Sequence, residues 1–175
     1  MGPRRTAQRG FTYVVVLAWI AVTGIGAAAV GTMWHTAHVR DNERELLAIG
    51  DEFRRAIGSY RAFVPPGQTG VARRFPDSLE ALVRDPRHPG VVRHLRRIHV
   101  DPMTGTAEWG LLRGPDGGIV GVHSLAQGRP LRRTGFAPLD ETFENAERYA
   151  DWHFIHREPG RPAPPVGWKE APPPR

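Results

Sequence analysis

The sequence predicts an α+β protein in which a long N-terminal helix packs on a small antiparallel β-sheet with short helices. Three observations support this prediction. Residues 11–34 form an apolar run without Asp, Glu, Lys, Arg or His. Residues 35–64 then repeat apolar side chains at intervals of three, four or seven positions, which is the period of one helix face. Further along, two short apolar runs flank a Gly-rich turn, and this pattern is typical of a β-hairpin.

The apolar run is long enough to predict a transmembrane helix. It contains 24 residues, and at about 1.5 Å per residue such a helix measures roughly 36 Å against a hydrocarbon core of about 30 Å. Residues 1–10 precede it and carry Arg4, Arg5 and Arg9 but no acid, so the positive-inside rule keeps them cytoplasmic. We therefore expect a single-pass membrane protein with a cytoplasmic N-terminus and an exported C-terminal domain.

The helix is predicted to continue beyond the membrane as an amphipathic segment over residues 35–64. One face of this segment carries the apolar side chains, and charged residues fill most of the other positions. The face consists of Val39, Leu46, Ile49, Phe53, Ile57, Tyr60 and Val64. Pro65-Pro66-Gly67 ends the pattern, because proline cannot donate a helical hydrogen bond. We expect one continuous helix over residues 11–64, with weak points at Gly50 and Gly58.

Residues 65–158 are expected to form the globular domain. A capping pattern predicts a short helix over about residues 78–84, and another turn or two is expected within residues 91–97. Runs at 108–112 and 119–125 form the predicted hairpin, whose second strand buries one face with two valines. Asp140 is expected to cap a helix that ends near residue 150, and alternation over residues 151–156 predicts a closing strand.

The composition argues against several classes of function. The chain has no cysteine, which excludes disulfides, thiolate metal sites and thiol nucleophiles. Its net charge is +6 and its pI about 10.8, but the arginines are scattered among acids and no nucleic-acid-binding motif accompanies them. We therefore expect no nucleic-acid partner. Residues 159–175 contain seven prolines and are predicted to be a disordered tail.

The histidines and acids do not form a recognisable metal site. His35 and His38 share a helix face, but no nearby carboxylate completes a known ligand pattern with them, and His153 and His156 point to opposite faces of a strand. The acids at the predicted helix start (Asp140, Glu141 and Glu144) supply too few oxygens for calcium and are interpreted as helix-dipole compensation. We expect no metal and no cofactor.

The sequence also gives no clear catalytic motif. The segment Gly121-Val122-His123-Ser124-Leu125 lacks the Gly-x-Ser-x-Gly spacing of a nucleophile elbow. The Gly-rich turn lacks the Lys-Ser/Thr end of a phosphate-binding loop. We expect no catalytic residues and no enzyme activity, and a hydrolase that uses Ser124 or His123 is the least favoured class.

The N-terminal motif Arg9-Gly10-Phe11-Thr12-Tyr13, with its basic leader and apolar helix, resembles the class III leader of type IV pilins and type II secretion pseudopilins. This resemblance implies that prepilin peptidase cleaves between Gly10 and Phe11 and that the new N-terminal Phe11 is methylated. Residues 75–82, 95–102 and 109–110 are similar to the body of G-type pseudopilins, and the resemblance extends over about residues 5–156.

The resemblance implies a structural subunit of a periplasmic filament that supports protein secretion. It also implies a single-pass protein of the bacterial inner membrane, with its N-terminus cytoplasmic and its C-terminal domain periplasmic. Its partners would be other pseudopilins, contacted through the N-terminal helix, and also the prepilin peptidase, the inner-membrane secretion platform and the lipid bilayer. Most family members carry Glu at the fifth mature position, where this chain has Val15. The chain also lacks the Asp-rich calcium loop of major G-type subunits. These departures favour a minor or specialised subunit; the alternative is a permanently membrane-anchored periplasmic domain that binds a partner without polymerising.

Overall fold

A computed structural model describes residues 9–64 and 74–157, except for the side chains of residues 9–12, 24–33 and 35. The predicted leader up to residue 8, the loop after the helix (residues 65–73) and the predicted tail over residues 159–175 lie outside the described residues. The chain divides into two compact units, Met1–Arg40 and Asp41–Arg175.

The first element is the long helix α1, Arg9–Ala62, with 54 residues. It begins and ends two residues earlier than the predicted helix at 11–64, which confirms that the apolar and amphipathic segments form one helix. At its C-terminal end the Phe63 N–H donates to the Ser59 carbonyl at 3.0 Å. Gly50 and Gly58 are accommodated within α1 and do not end it.

The part of α1 in the first unit exposes its apolar side chains over residues 13–23, whereas Val39 is half-buried. Every described side chain from Tyr13 to Thr23 is exposed, including Trp19 at 71% and Val22 at 69%. In the described part of the chain, no helix is long and apolar enough to cross a membrane. The prediction of a transmembrane helix at residues 11–34 is therefore wrong, and so is the single-pass inner-membrane localisation that depends on it.

In the second unit, the amphipathic part of α1 packs on a three-stranded antiparallel sheet. The strands are β1 (Gly110–Arg113), β2 (Ile119–His123) and β3 (Phe154–Ile155), in the order β1-β2-β3. Val122 pairs with Leu111 on one side and with Phe154 on the other. Gly117 supplies the positive φ, 80°, that the turn of the predicted hairpin requires.

The core lies between α1 and the sheet and is rich in aromatic rings. Phe53 from α1 meets Trp109 edge-on, with ring centroids 5.0 Å apart. Phe143 stacks on Trp152 at 5.4 Å and meets Phe154 edge-on at 5.2 Å. The predicted apolar face of α1 enters this core at Leu46, Ile49, Phe53, Ile57 and Tyr60, whereas Val64 is exposed.

Strand β2 is buried on both faces, so the prediction of one buried face is wrong. All five of its residues are buried, and other strands and segments pair with both of its edges and with its ends. The Ile119 N–H donates to the carbonyl of Pro76 at 2.7 Å, and the Val120 carbonyl accepts from His156 N–H at 2.9 Å. A central strand covered in this way does not show the simple alternation of a strand with one solvated face.

The short helices differ most from the sequence-based prediction. Helix α2 covers only Glu80–Val83, and the expected turns within residues 91–97 are not helical. The predicted helix from Asp140 to about residue 150 is replaced by two 3₁₀ helices, Glu141–Asn145 and Tyr149–Asp151. The break occurs at Ala146, whose ψ of 130° is extended. The second 3₁₀ helix also shortens the predicted closing strand to β3.

Candidate functional site: an exposed apolar helix surface

The N-terminal part of α1 presents an apolar surface with few polar atoms. We call it the apolar helix surface and define it by the exposed side chains of Tyr13, Val14, Val15, Val16, Leu17, Trp19, Ile20 and Val22. Four of them, residues 14–17, are consecutive and therefore point to all sides of the helix. Contiguous apolar patches of this kind on proteins mark sites of interaction. The apolar helix surface is therefore a candidate interaction site.

Among the described residues, Thr23 carries the one aliphatic hydroxyl beside this surface. Its hydrogen bond is made within the helix. Thr23 Oγ1 donates to the Trp19 carbonyl at 2.5 Å and lies 3.3 Å from the Ile20 carbonyl. A helix partner can therefore pack near Thr23 without leaving a buried hydroxyl donor unpaired.

The residues predicted for processing and assembly all lie at the start of α1. Gly10 and Phe11 belong to its first turn, and Val15 follows one turn later. Val15 is 38% exposed, the smallest exposed fraction on the apolar helix surface. Its isopropyl group offers no charge to a neighbouring amine, so contacts at this position are limited to packing.

The carboxylate of Glu43, in the second unit, is buried, although the sequence pattern predicts this residue on the polar face of α1. Glu43 is 3% exposed. Its Oε1 accepts hydrogen bonds from Leu131 N–H at 2.6 Å, Arg132 N–H at 3.2 Å and Tyr149 O–H at 2.9 Å. Burial, together with the hydrogen bond to Glu43, raises the pKa of the Tyr149 phenol. The sequence contains one signal for this burial. Glu43 lies three residues before Leu46, and residues at this spacing share a face of the helix.

A second charged residue anchors the aromatic core to α1. The Arg54 guanidinium donates to Asp51 at 2.7 Å and to Asp140 at 2.5 Å. The Cζ atom of Arg54 lies 5.2 Å from the centroid of the Phe154 ring. Asp140 makes no side-chain capping bond to the 3₁₀ helix that follows it. The role predicted for Asp140 as a helix cap is therefore wrong, because Arg54 binds its carboxylate.

Comparison with known proteins gives no relative. No protein-family model, no curated protein and no solved structure matches this chain. Arguments about function therefore rest on its own residues and geometry.

The residues weighed for metal binding are separated in the structure. Asp140 is paired with Arg54, whereas Glu141 and Glu144 are exposed. His153 is exposed, and the His156 ring lies against Gly58 of α1. Across residues 9–64 and 74–157, no group of three or more His, Cys, Asp or Glu side chains is placed to hold a metal ion.

The two residues weighed for hydrolysis do not form a hydroxyl–imidazole pair. Ser124 is fully buried, and its hydroxyl donates to Asp101 Oδ2 at 2.6 Å. The Nδ1 atom of His123 instead lies 2.9 Å from the backbone carbonyl of Ser124. The same Asp101 carboxylate accepts from Met103 N–H at 2.8 Å, so it orders the turn before β1.

Proposed function

We propose that this chain is a structural subunit that assembles through the apolar helix surface with other pilin-like helices. In this proposal it is a pseudopilin of a type II secretion or pilus-like filament, and it is a minor or specialised member. Prepilin peptidase cleaves it between Gly10 and Phe11, and Phe11 is then methylated. The observation that carries the proposal is the exposure of eight apolar side chains within residues 13–22.

The size of this surface supports an assembly role. Fully burying one Val, Leu or Ile side chain contributes about 1.5–3 kcal/mol. The eight side chains are already partly covered by their neighbours, so about 1 kcal/mol each, or roughly 8 kcal/mol in all, is a reasonable gain. Association costs an estimated 4–15 kcal/mol. Contacts with more than one neighbouring helix, as in a filament, make burial of the whole surface favourable.

The second unit supports the same proposal at the level of architecture. The amphipathic part of α1 lies on a three-stranded antiparallel sheet, an α+β arrangement that is compatible with a pilin-like fold. In this reading, the N-terminal part of the helix serves assembly and the second part forms one layer of the globular unit.

Val15 supports the specialised role. A carboxylate at this position would be costly to bury unless a neighbouring amine paired with it, and such a pair would fix the register between subunits. Val15 has no charge with which to form such a pair. A subunit with this surface can join a filament at a place where the charged pairing is not required, such as its end.

The processing step is tested by intact mass spectrometry of the chain produced with and without a prepilin peptidase. The processed form is expected to begin at N-methylated Phe11. A Gly10→Leu variant is the matched control and is expected to keep its first ten residues, because the resemblance places a small residue before the cleaved bond. A wild-type chain that keeps residues 1–10 in the presence of an active peptidase contradicts the proposal.

Assembly is tested by cysteine crosslinking, which the natural absence of cysteine makes simple. Cysteines at Val14 and Val16 are expected to couple to cysteines on other pilin-like helices in cells that build the filament. A cysteine at Val91, which is 67% exposed in the second unit, serves as the control. Equal coupling at all three positions, or none at Val14 and Val16, favours a partner-binding domain that does not polymerise.

A further inference from the structure

Three side chains of the second unit form a hydrogen-bonded chain from a surface hydroxyl to a buried carboxylate. Ser59 Oγ lies 2.9 Å from His94 Nδ1, and His94 Nε2 lies 3.3 Å from Asp85 Oδ2. We call this set the Ser59 relay. Ser59 belongs to the last turn of α1, whereas Asp85 and His94 lie on the segment after α2.

The backbone after α2 fixes the position of the imidazole. The carbonyl of Leu82 accepts from the N–H groups of both His94 and Leu95, at 2.8 and 2.9 Å. The Asp85 N–H donates to the Val92 carbonyl at 2.9 Å. These bonds bring residues 85 and 94 together across a short loop and direct both side chains towards α1.

Arg87 holds the carboxylate of the relay in its charged form. Its backbone N–H and its Nε each donate to Asp85 Oδ1 at 2.9 Å, and its Nη2 donates to Oδ2 at 2.6 Å. Burial alone would raise the pKa of Asp85, but the hydrogen bonds from Arg87 and His94 outweigh it and lower this pKa. The ionised Asp85 accepts a hydrogen bond from His94 Nε2–H. The lone pair of Nδ1 is then directed at the Ser59 hydroxyl.

Within the described residues, the relay is open to solvent at its serine end. Ser59 is exposed, whereas the side chains of His94 and Asp85 are 3% and 0% exposed. The rings of Tyr60 and Phe63 meet the imidazole edge-on, with centroids 5.3 and 5.8 Å away. Aromatic side chains therefore shield the His94 imidazole. The Ser59 hydroxyl, which donates its hydrogen bond to this imidazole, faces solvent.

We propose that Ser59 is an activated nucleophile that accepts an acyl group from small activated esters. The Oγ–carbonyl carbon bond forms as the Ser59 proton moves to His94 Nδ1. The bond from the carbonyl carbon to the ester oxygen then breaks, and His94 returns the proton to the leaving alcohol. Asp85 is a positioning residue, which orients the imidazole and stabilises its protonated form.

The position of Ser59 on the helix indicates that acylation is stoichiometric. Backbone N–H groups in the last turn of a helix are already bonded within it, and the free backbone groups there are carbonyls. A tetrahedral oxyanion receives little stabilisation from such a site, and this stabilisation is usually a large part of acyl-transfer catalysis. One acyl group per chain, removed slowly, is the expected product.

The test treats the folded full chain with a fluorophosphonate probe and locates the label by peptide mass spectrometry. The Ser59 Oγ–P bond forms as the P–F bond breaks, and the probe releases fluoride. We expect one label per chain, on Ser59, and about one equivalent of p-nitrophenolate released in a burst from p-nitrophenyl acetate. Ser78 is the internal control, because its hydroxyl has no histidine partner among the described residues. Ser59→Ala and the urea-unfolded chain are expected to lose the label.

Variants of the other two residues separate activation from simple exposure. His94→Gln is expected to slow labelling of Ser59 by at least about 10-fold, since a positioned general base contributes about 10²–10⁴-fold. Asp85→Asn is expected to slow it to a smaller extent, with circular dichroism used to check that both variants fold. If either fails to fold, the comparison of folded and urea-unfolded wild type decides. A folded wild type without label on Ser59, or equal rates in wild type and folded His94→Gln, overturns the proposal.

Discussion

The substitution Glu43→Ala tests whether one buried carboxylate orders the segment before the two 3₁₀ helices. It removes the acceptor of three hydrogen bonds, from Leu131 N–H, Arg132 N–H and Tyr149 O–H. Tyr149 is 3% exposed, so its hydroxyl would remain buried without this partner. Leaving one buried donor unpaired costs about 1–3 kcal/mol. The two backbone donors are partly buried and regain some bonds to water. We therefore expect a total loss of about 2–4 kcal/mol in the free energy of unfolding.

Urea denaturation measures this loss as a lower midpoint with an unchanged slope. The matched control is Glu45→Ala, on an exposed residue of the same helix, which is expected to change stability by at most about 0.5 kcal/mol. Tyr149→Phe, which removes only the hydroxyl donor, should cost about 1 kcal/mol. The double variant should lose less than the sum of the two single losses. If Glu43→Ala destabilises no more than Glu45→Ala, the hydrogen bonds to Glu43 do not stabilise the fold and the reasoning is refuted.

Three further predictions address packing, pH dependence and assembly. Gly50→Ala should destabilise the second unit by about 1–3 kcal/mol in urea denaturation, because a Cβ at Gly50 would lie 2.1 Å from the Phe154 ring; an unchanged midpoint contradicts this. The pKa of Asp85 is lowered in the folded chain, so its ionised carboxylate stabilises the fold above the pKa of the unfolded chain, and this stabilisation is lost as pH falls through the folded pKa. Asp85→Asn should therefore reduce the change in the free energy of unfolding between about pH 5 and 2, whereas Asp116→Asn, at an exposed residue, should not. Val15→Glu should raise incorporation into a pilin-like filament, measured by crosslinking yield, and unchanged incorporation removes the main support for a specialised role.

Local patterns predicted the elements that depend on short-range periodicity. Helix α1 and the hairpin of β1 and β2 lie close to their predicted bounds, since each has a repeated apolar spacing and a distinct end signal. The apolar run was also interpreted as a membrane span, which the described part of the helix does not support. Run length alone therefore predicted a helix correctly and a membrane crossing incorrectly.

Long-range contacts explain the prediction that failed between residues 140 and 150. Asp140 has the chemistry of a helix cap, but its carboxylate binds Arg54, 86 positions earlier in the chain. The buried Phe143 and Tyr149 also lie on opposite sides of a break in the helix at Ala146. A local capping signal cannot compete with a buried ion pair and two aromatic contacts, and none of these is visible in a short sequence window.

The two candidate sites also differ in how far the sequence alone could predict them. Gly10, Phe11 and Val15 lie within six positions, so a short motif could suggest them. The Ser59 relay joins residues 35 positions apart through His94. Its components belong to two elements that the sequence placed separately, and only the folded chain brings the hydroxyl and the imidazole together.

The second unit uses buried polar side chains to order segments that lack regular secondary structure. Its strands contain only four, five and two residues, which leaves most loop backbone groups without ladder partners. Glu43, Asp85 and Asp101 are each buried and accept backbone N–H groups from such segments. An unpaired buried backbone group is costly, so each carboxylate stabilises one loop conformation against its alternatives. The apolar pattern of α1 therefore specifies where the core lies, whereas these three acids specify how the connecting segments cover it.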